Sequence, residues 1–415
     1  MGVLIVVIKI IVVLGTLITI HELGHFLVAK ACNVKVHKFS IGFGPKVLKK
    51  QGKETEYTIR LIPFGGFVQM EGEEERSDDD RAFNKKPIYQ RILIFAAGAT
   101  VNIVFALIVY FFIALNSNLY SSNEITSLAD DSNEYIAGLR SGDTIVSVNG
   151  KNTLVGYDVD NIISKAKEDE FVFEVERNNT LVKLNVNIPV IKKGLLGIMY
   201  NTDNVVVEIV EDTPAAESGL QSGDVILRIN DTLISDWKKI ADTISVLPDT
   251  EIDLVVRRDD ENVELKVKTI STTGRFYDMS FGVVEPQGFD KVVYAVNETG
   301  DYFNATIEGF VTMFTGKAVN VEVMGPVGIA EQITSTEGWS EFFYLMSAIS
   351  LSLGIFNLLP IPALDGGKIL LLIIEKIRRK PFEQKTEAIA TLIGFVLIIM
   401  LALVVTVSDV IGIFR

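Results

Sequence analysis

The sequence predicts an α-helical polytopic membrane protein, with about four transmembrane helices and two β-rich modules inserted between the second and third. Three observations point there. The 415-residue chain is 48% hydrophobic, and its apolar residues gather at 2–31, 92–115, 342–359 running on into 367–377, and 388–410. Crossing a bilayer core takes about 20 such residues in a row. The formal net charge of −14 lies entirely in the polar middle, where residues 118–285 hold 16 Lys+Arg and 30 Asp+Glu. That middle also contains an internal repeat, and so acidic a chain is expected to bind no nucleic acid.

The first apolar stretch lacks a basic amino-terminal region and a small-residue cleavage site, so it reads as a retained span. Apart from Lys9, its charged or ionisable groups lie in ITIHELGHFLVAK (18–30). Ionisable groups inside a span are costly and mark a functional site. His21 and His25 are four residues apart, so they share one helical face and can reach one tetrahedral Zn²⁺. Glu22 stands beside them as a general base and acid. Cys32 is the only cysteine, so no intrachain disulfide forms, and it reads as a bystander thiol.

Residues 34–70 read as a β-hairpin. Val34 and Val36 alternate with Lys35 and His37, and Tyr57, Ile59 and Leu61 alternate with Thr58 and Arg60. SIGFGPKV and IPFGGFV join them, with Gly42, Gly44, Gly65 and Gly66 at bends or close approaches. His37 reads as non-catalytic, and EGEEERSDDD (71–80) as a solvated loop. Lys46, Lys49, Lys50 and Lys53, then Lys85, Lys86 and Arg91, then Lys376, Arg378, Arg379, Lys380 and Lys385 make the short connections basic. Basic short loops stay cytoplasmic. Both termini and the acidic middle are then extracytoplasmic.

In that middle, AGLRSGDTIVSVNGK (137–151) recurs as SGLQSGDVILRINDT (218–232). A helix-like stretch and a strand pair follow each copy, with Asn178-Asn179 and Asp259-Asp260 at the hairpin turns. Both modules resemble PDZ domains, whose sheets bind peptide C-termini or extended segments by strand addition. Further on, Phe303, Ile307, Phe310 and Phe314 follow helical spacing and predict an amphipathic helix used for packing.

The second unusual polar cluster is NLLPIPALDGGK (357–368). One straight helix over the 36 residues from 342 to 377 would be about 54 Å long against a core of about 30 Å. It must break, and Pro360 and Pro362 mark where. Asp365 lies just past the break, at the same inner leaflet as His21 and His25, and so becomes the third ligand candidate. As a plain helix cap it would need no histidines nearby.

HELGH, GFGP (42–45), IPFGGFV, MGPVGIA (324–330) and NLLPIPALDGG occur in the order seen in the site-2 protease family, which the chain resembles over nearly its full length. The resemblance implies an intramembrane zinc metalloprotease with one catalytic Zn²⁺ held by His21, His25 and Asp365, and with Glu22 as base. It implies that Asn357 orients substrate or stabilises the oxyanion. It also implies a membrane-re-entrant hairpin that contains Gly42–Gly44. Gly42, Phe43, Gly44, Ile59, Gly65 and Gly66 are the substrate-binding candidates, and an edge strand of the hairpin is expected to hold the unwound substrate by strand addition.

The substrates implied are single-span membrane proteins, such as anti-sigma factors or signal-peptide remnants, in a bacterial inner or plasma membrane. The domains expected are 1–117 (two spans and the hairpin), 118–192 and 193–285 (PDZ-like), 286–341 (connecting helices) and 342–415 (two spans). The rival readings are a membrane-anchored peptidase cutting soluble peptides and an inactive PDZ scaffold. An intact Glu22 argues against the second. A metal transporter is weaker still, because no inverted repeat is present.

Overall fold

The computed structural model describes residues 2–73, 75–210, 213–315, 326–336 and 338–413. Two compact units emerge: residues 1–118 together with 286–415, and residues 119–285.

Among its described residues the first unit contains four helices long and apolar enough to cross a membrane: 8–31, 88–116, 339–357 and 385–407. The first two belong to α1 (Gly2–Ala31) and α2 (Ile88–Asn116). The third, Trp339–Asn357, ends where the prolines predict. A tight turn follows, with Ile361 N–H donating to Leu359 O and Leu364 N–H to Ile361 O, and a new helix runs over Asp365–Arg378. A Cβ on Gly366 or Gly367 would lie 2.2 or 2.1 Å from the Leu358 or Ile361 carbonyl oxygen, so the new helix starts packed against the turn itself.

Around the C-terminal end of α1, Ala29, Val36, Met70, Phe83, Ile94 and Leu372 form one core, and Val13, Leu17, Ile333 and Met346 form another. Lys9, the lone charge early in α1, donates to Thr336 O at 2.7 Å and so satisfies a carbonyl just beyond the helix Pro326–Ser335. Of MGPVGIA, Met324 and Gly325 lie outside the described residues. The amphipathic helix Phe289–Thr315 packs as expected on α2 and the third span, but mainly through Tyr302, whose ring lies 4.0 Å from Tyr110, and through Phe310 against Phe356. The Phe314 side chain is not among those described.

The expected hairpin is more elaborate. Its strands β1 (Val36–Gln51) and β2 (Glu56–Met70) each bend, β1 through Gly42–Gly44 and β2 near Gly65. Residues 36–41 pair with 66–70, residues 46–51 with 56–60, and residues 38–41 also meet 56–59. The result is a four-segment sheet in the order 46–51, 56–60, 38–41, 66–70. Ile59, expected on an edge, has Ile41 on one side and Leu48 on the other. Its backbone is already committed, so it cannot accept a strand. The edges are 46–51 and 66–70.

The acidic loop is solvated only in part. Glu71 pairs with His37, Glu73 with Lys368 and Asp79 with Lys35, whereas Glu75, Asp78 and Asp80 are exposed as expected.

The second unit holds the two repeats, each with its own core. Asn178-Asn179 and Asp259-Asp260 have positive φ and turn the predicted hairpins Glu170–Arg177/Thr180–Asn187 and Glu251–Arg258/Glu261–Lys268. The Asp of each Ser-Gly-Asp is buried and takes a bidentate bond from an arginine 34 residues later: Arg177 to Asp143 at 2.6 and 2.7 Å, Arg258 to Asp224 at 2.7 Å twice. The same arginines donate to Gly138 O and Gly219 O, so each pair ties the Gly-Leu turn to the hairpin. One boundary differs from expectation. The strand Met279–Val284 falls within 193–285, yet it pairs with Tyr120–Leu128 and extends the first module's sheet.

Candidate active site

α1 and α2 meet at small residues. A Cβ on Gly24 would lie 2.6 Å from Ala97 O, and one on Gly98 would lie 2.5 Å from His25 Nε2 and 2.8 Å from His21 Nε2. Without side chains there, the helices approach closely and both imidazoles fit between them.

His21 Nε2 and His25 Nε2 stand 3.1 Å apart, and Asp365 Oδ2 lies 3.2 and 3.3 Å from them. Tetrahedral ligands about 2.05 Å from a zinc ion stand about 3.3 Å from one another, so this triangle has the size of one tetrahedral face. Protonation points the same way. His25 Nδ1 lies 2.7 Å from Ile94 O, a pure acceptor, so Nδ1 carries the proton and Nε2 presents a lone pair. Asp365 Oδ2 is buried with no hydrogen-bond donor. Acceptors thus converge on a point that a bound cation would satisfy, and the donor set of two imidazoles and a carboxylate suits zinc. Asp365 is not acting as a helix cap: the N-cap position is Leu364, and the Asp365 carboxylate faces the histidines.

Asn102, on α2, was not singled out in the sequence. Its side chain is fully buried, its Oδ1 has no partner, and its Nδ2 lies 3.5 Å from His21 Nδ1. Exchanging the two amide atoms lets Oδ1 accept from His21 Nδ1–H, the tautomer that frees Nε2 for a metal. The signal was available: an asparagine in an apolar span is as conspicuous as a histidine.

The triangle lies in the wall of a cavity of about 480 Å³, lined also by Glu22, Lys38, Glu73, Phe95, Lys368 and the whole edge segment 66–70. Of the expected residues, His21, Glu22, His25, Asp365 and Gly66 come together here. Gly42, Phe43, Gly44, Gly65 and Ile59 do not line it, and Ile59 is interior to the sheet. Asn357 does not line it either: its amide donates to Leu353 O at 2.9 Å, one turn back on its own helix. Cys32 is outside the ligand cluster.

A family profile described as Peptidase family M50 matches residues 9–401. The chain belongs to that family, the site-2 proteases. The Regulator of sigma-W protease RasP of Bacillus subtilis (strain 168) is 31% identical over 424 residues, 97% of this chain and 98% of that one. The Zinc metalloprotease RasP of Oceanobacillus iheyensis is 30% identical, with 97% and 98% covered. The Regulator of sigma-E protease RseP of Escherichia coli (strain K12) is 28% identical, with 94% and 95% covered. Among solved structures, the HtrA3 PDZ domain bound to a phage-derived ligand is 20% identical over 21% of this chain and 93% of that one, with a TM-score of 0.19, a likeness too small to build on. This M50 chain is an intramembrane zinc metalloprotease.

Proposed function

We propose that His21, His25 and Asp365 hold one zinc ion and that Glu22 is the general base and acid of peptide-bond hydrolysis. The observation that carries this is the convergence of three lone-pair donors in the wall of a cavity that also contains Glu22 and a strand, 66–70, that pairs on one side only among the described residues. Bound zinc supplies a lowered water pKa and a polarised scissile carbonyl. Glu22 takes the water proton and passes it to the leaving amine. Ile94 O and Asn102 hold the two imidazoles in the tautomers that ligation requires.

The substrate is a membrane-spanning segment. A helix presents no free backbone groups, so it must be unwound before a carbonyl can be attacked. The segment 66–70 pairs with 36–41 and lines the cavity, and it is there, rather than at Ile59, that an extended substrate adds as a strand. Asn357 gives one amide N–H to Leu353 O and keeps its second N–H and Oδ1 for a substrate that reaches it. The basic short loops put the inner ends of the spans on the cytoplasmic side and the repeat modules outside. There the modules take peptide C-termini or extended segments and filter bulky substrates. Anti-sigma factors are the substrates that the family resemblance implies, and two relatives are named as regulators of sigma-W and sigma-E.

The test is reconstitution of wild type and Glu22→Gln in liposomes with single-span substrates, with products read by mass spectrometry. Glu22→Gln should fold, keep zinc and lose turnover. Cleavage at the wild-type rate would end the proposal.

A further inference from the structure

An ion pair at the end of the edge segment has no part in the chemistry above. Lys368 Nζ donates to Glu73 Oε1 at 3.2 Å and stands 4.8 Å over the Phe95 ring. The same three residues wall two hollows: the catalytic cavity on one side, and on the other a cleft of about 810 Å³ lined also by Arg91, Glu375 and Phe382.

Each member is tied to a working part of the site. Lys368 follows Asp365 by three residues on one helix, which places both on neighbouring faces. Glu73 follows Met70, the last residue of the edge segment, by three. Phe95 follows Ile94, the carbonyl partner of His25. The base of the loop is pinned from behind, with Glu71 N–H donating to Lys35 O and Phe83 N–H to Glu71 O. The outer side of segment 66–70 has no such support, because among the described residues no strand pairs with it.

We infer that Lys368 is a positioning residue: through Glu73 it fixes the edge segment 66–70 at its working distance from Asp365. This rests on the strand-addition reading above. Losing the lysine ammonium removes that counter-charge from the Glu73 carboxylate at the wall it shares with Glu22 and Asp365.

The experiment compares Lys368→Met, Lys368→Arg, Glu73→Gln and the double variant Lys368→Met/Glu73→Gln on a membrane-spanning substrate, with KM, kcat and zinc content read for each. Lys368→Met and Glu73→Gln should each raise KM about three- to tenfold, the scale of a partly exposed ion pair with a cation–π contact, with kcat within about twofold. The double variant should be no worse than Lys368→Met, because both remove one interaction. Lys368→Arg should restore near-normal KM, and zinc content should not change. A fall in kcat for Lys368→Met beside a silent Glu73→Gln overturns the inference, since Lys368 would then act on the reacting atoms. Wild-type kinetics for Lys368→Met overturn it, as does loss of zinc. A Glu22→Gln control runs alongside. Turnover by that variant sinks the underlying mechanism, whereas a dead Glu22→Gln beside a normal Lys368→Met sinks the positioning role alone.

Discussion

Gly98→Ala tests the metal site without touching a ligand. A methyl group at residue 98 would lie 2.5 Å from His25 Nε2 and 2.8 Å from both Cε1 and Nε2 of His21. Ordinary contact needs about 3.5 Å, so the His25 ring must retreat by about 1 Å. Zinc sites tolerate ligand displacements of about 0.2 Å. Loss of an outer-shell partner costs about 10–100-fold in metal affinity, and displacing two ligands at once should cost at least about 100-fold. Overpacking of a core costs about 1–3 kcal/mol, which a protein of this size survives. The control is Gly300→Ala, where nothing lies within 4 Å of the added methyl and a helix gains about 1 kcal/mol in propensity. Purified variants are dialysed against graded chelator, zinc is measured per chain, and thermal melting and gel filtration confirm folding. Gly98→Ala should release zinc at far lower chelator concentrations than wild type or Gly300→Ala. A folded Gly98→Ala protein with wild-type zinc affinity would mean that His21, His25 and Asp365 do not form the metal site.

Other outcomes follow from the same geometry. Asn102→Leu should fold and lose about 10–100-fold in zinc affinity by freeing His21 Nδ1, while Asn102→Gln keeps part of it; equal zinc titrations for Leu and wild type would remove Asn102 from the site. Neighbouring residues of an edge strand point their N–H groups alternately into and away from the ladder, so of Phe67→Pro and Val68→Pro one should cut cleavage of membrane-spanning substrates and spare a short extended peptide, with zinc unchanged. Ile59→Pro, interior to the sheet, should instead depress both activities. Asp224→Asn should destabilise the second repeat by about 1.5–3 kcal/mol, read as faster limited proteolysis between residues 193 and 275. Burial, the largest single influence, raises the Asp224 pKa, but the Arg258 hydrogen bonds, the Gln221 N–H and the Arg258 charge together outweigh it and the carboxyl ends below its ordinary value. Its stabilisation is therefore complete above the unfolded value of about 3.9 and is lost as pH falls through the lower folded value, so wild type and Asp224→Asn should converge in stability only in strong acid.

Much of the molecule was legible because it is encoded locally. The i, i+4 histidines define one helical face, the length of 342–377 against a bilayer forces the break before Asp365, and Asn178-Asn179 and Asp259-Asp260 dictate tight turns. Each signal needs only a few neighbouring residues and one period. What the tertiary structure alone decided depends on partners distant in the chain. Period-two alternation tells which face of a sheet Ile59 occupies, but not which strands lie beside it, so its interior place was hidden. The strand Met279–Val284 returns to Tyr120–Leu128 across an entire intervening module. Asn357 has a carbonyl partner one turn away that a motif does not reveal. Gly98 and Asn102 matter only because α2 packs against α1 at the level of His21. Glu73 reads as one more acid in an acidic loop until folding brings Lys368, 295 residues later, against it. Spacing determines which residues share a face; only packing between faces determines which of them meet.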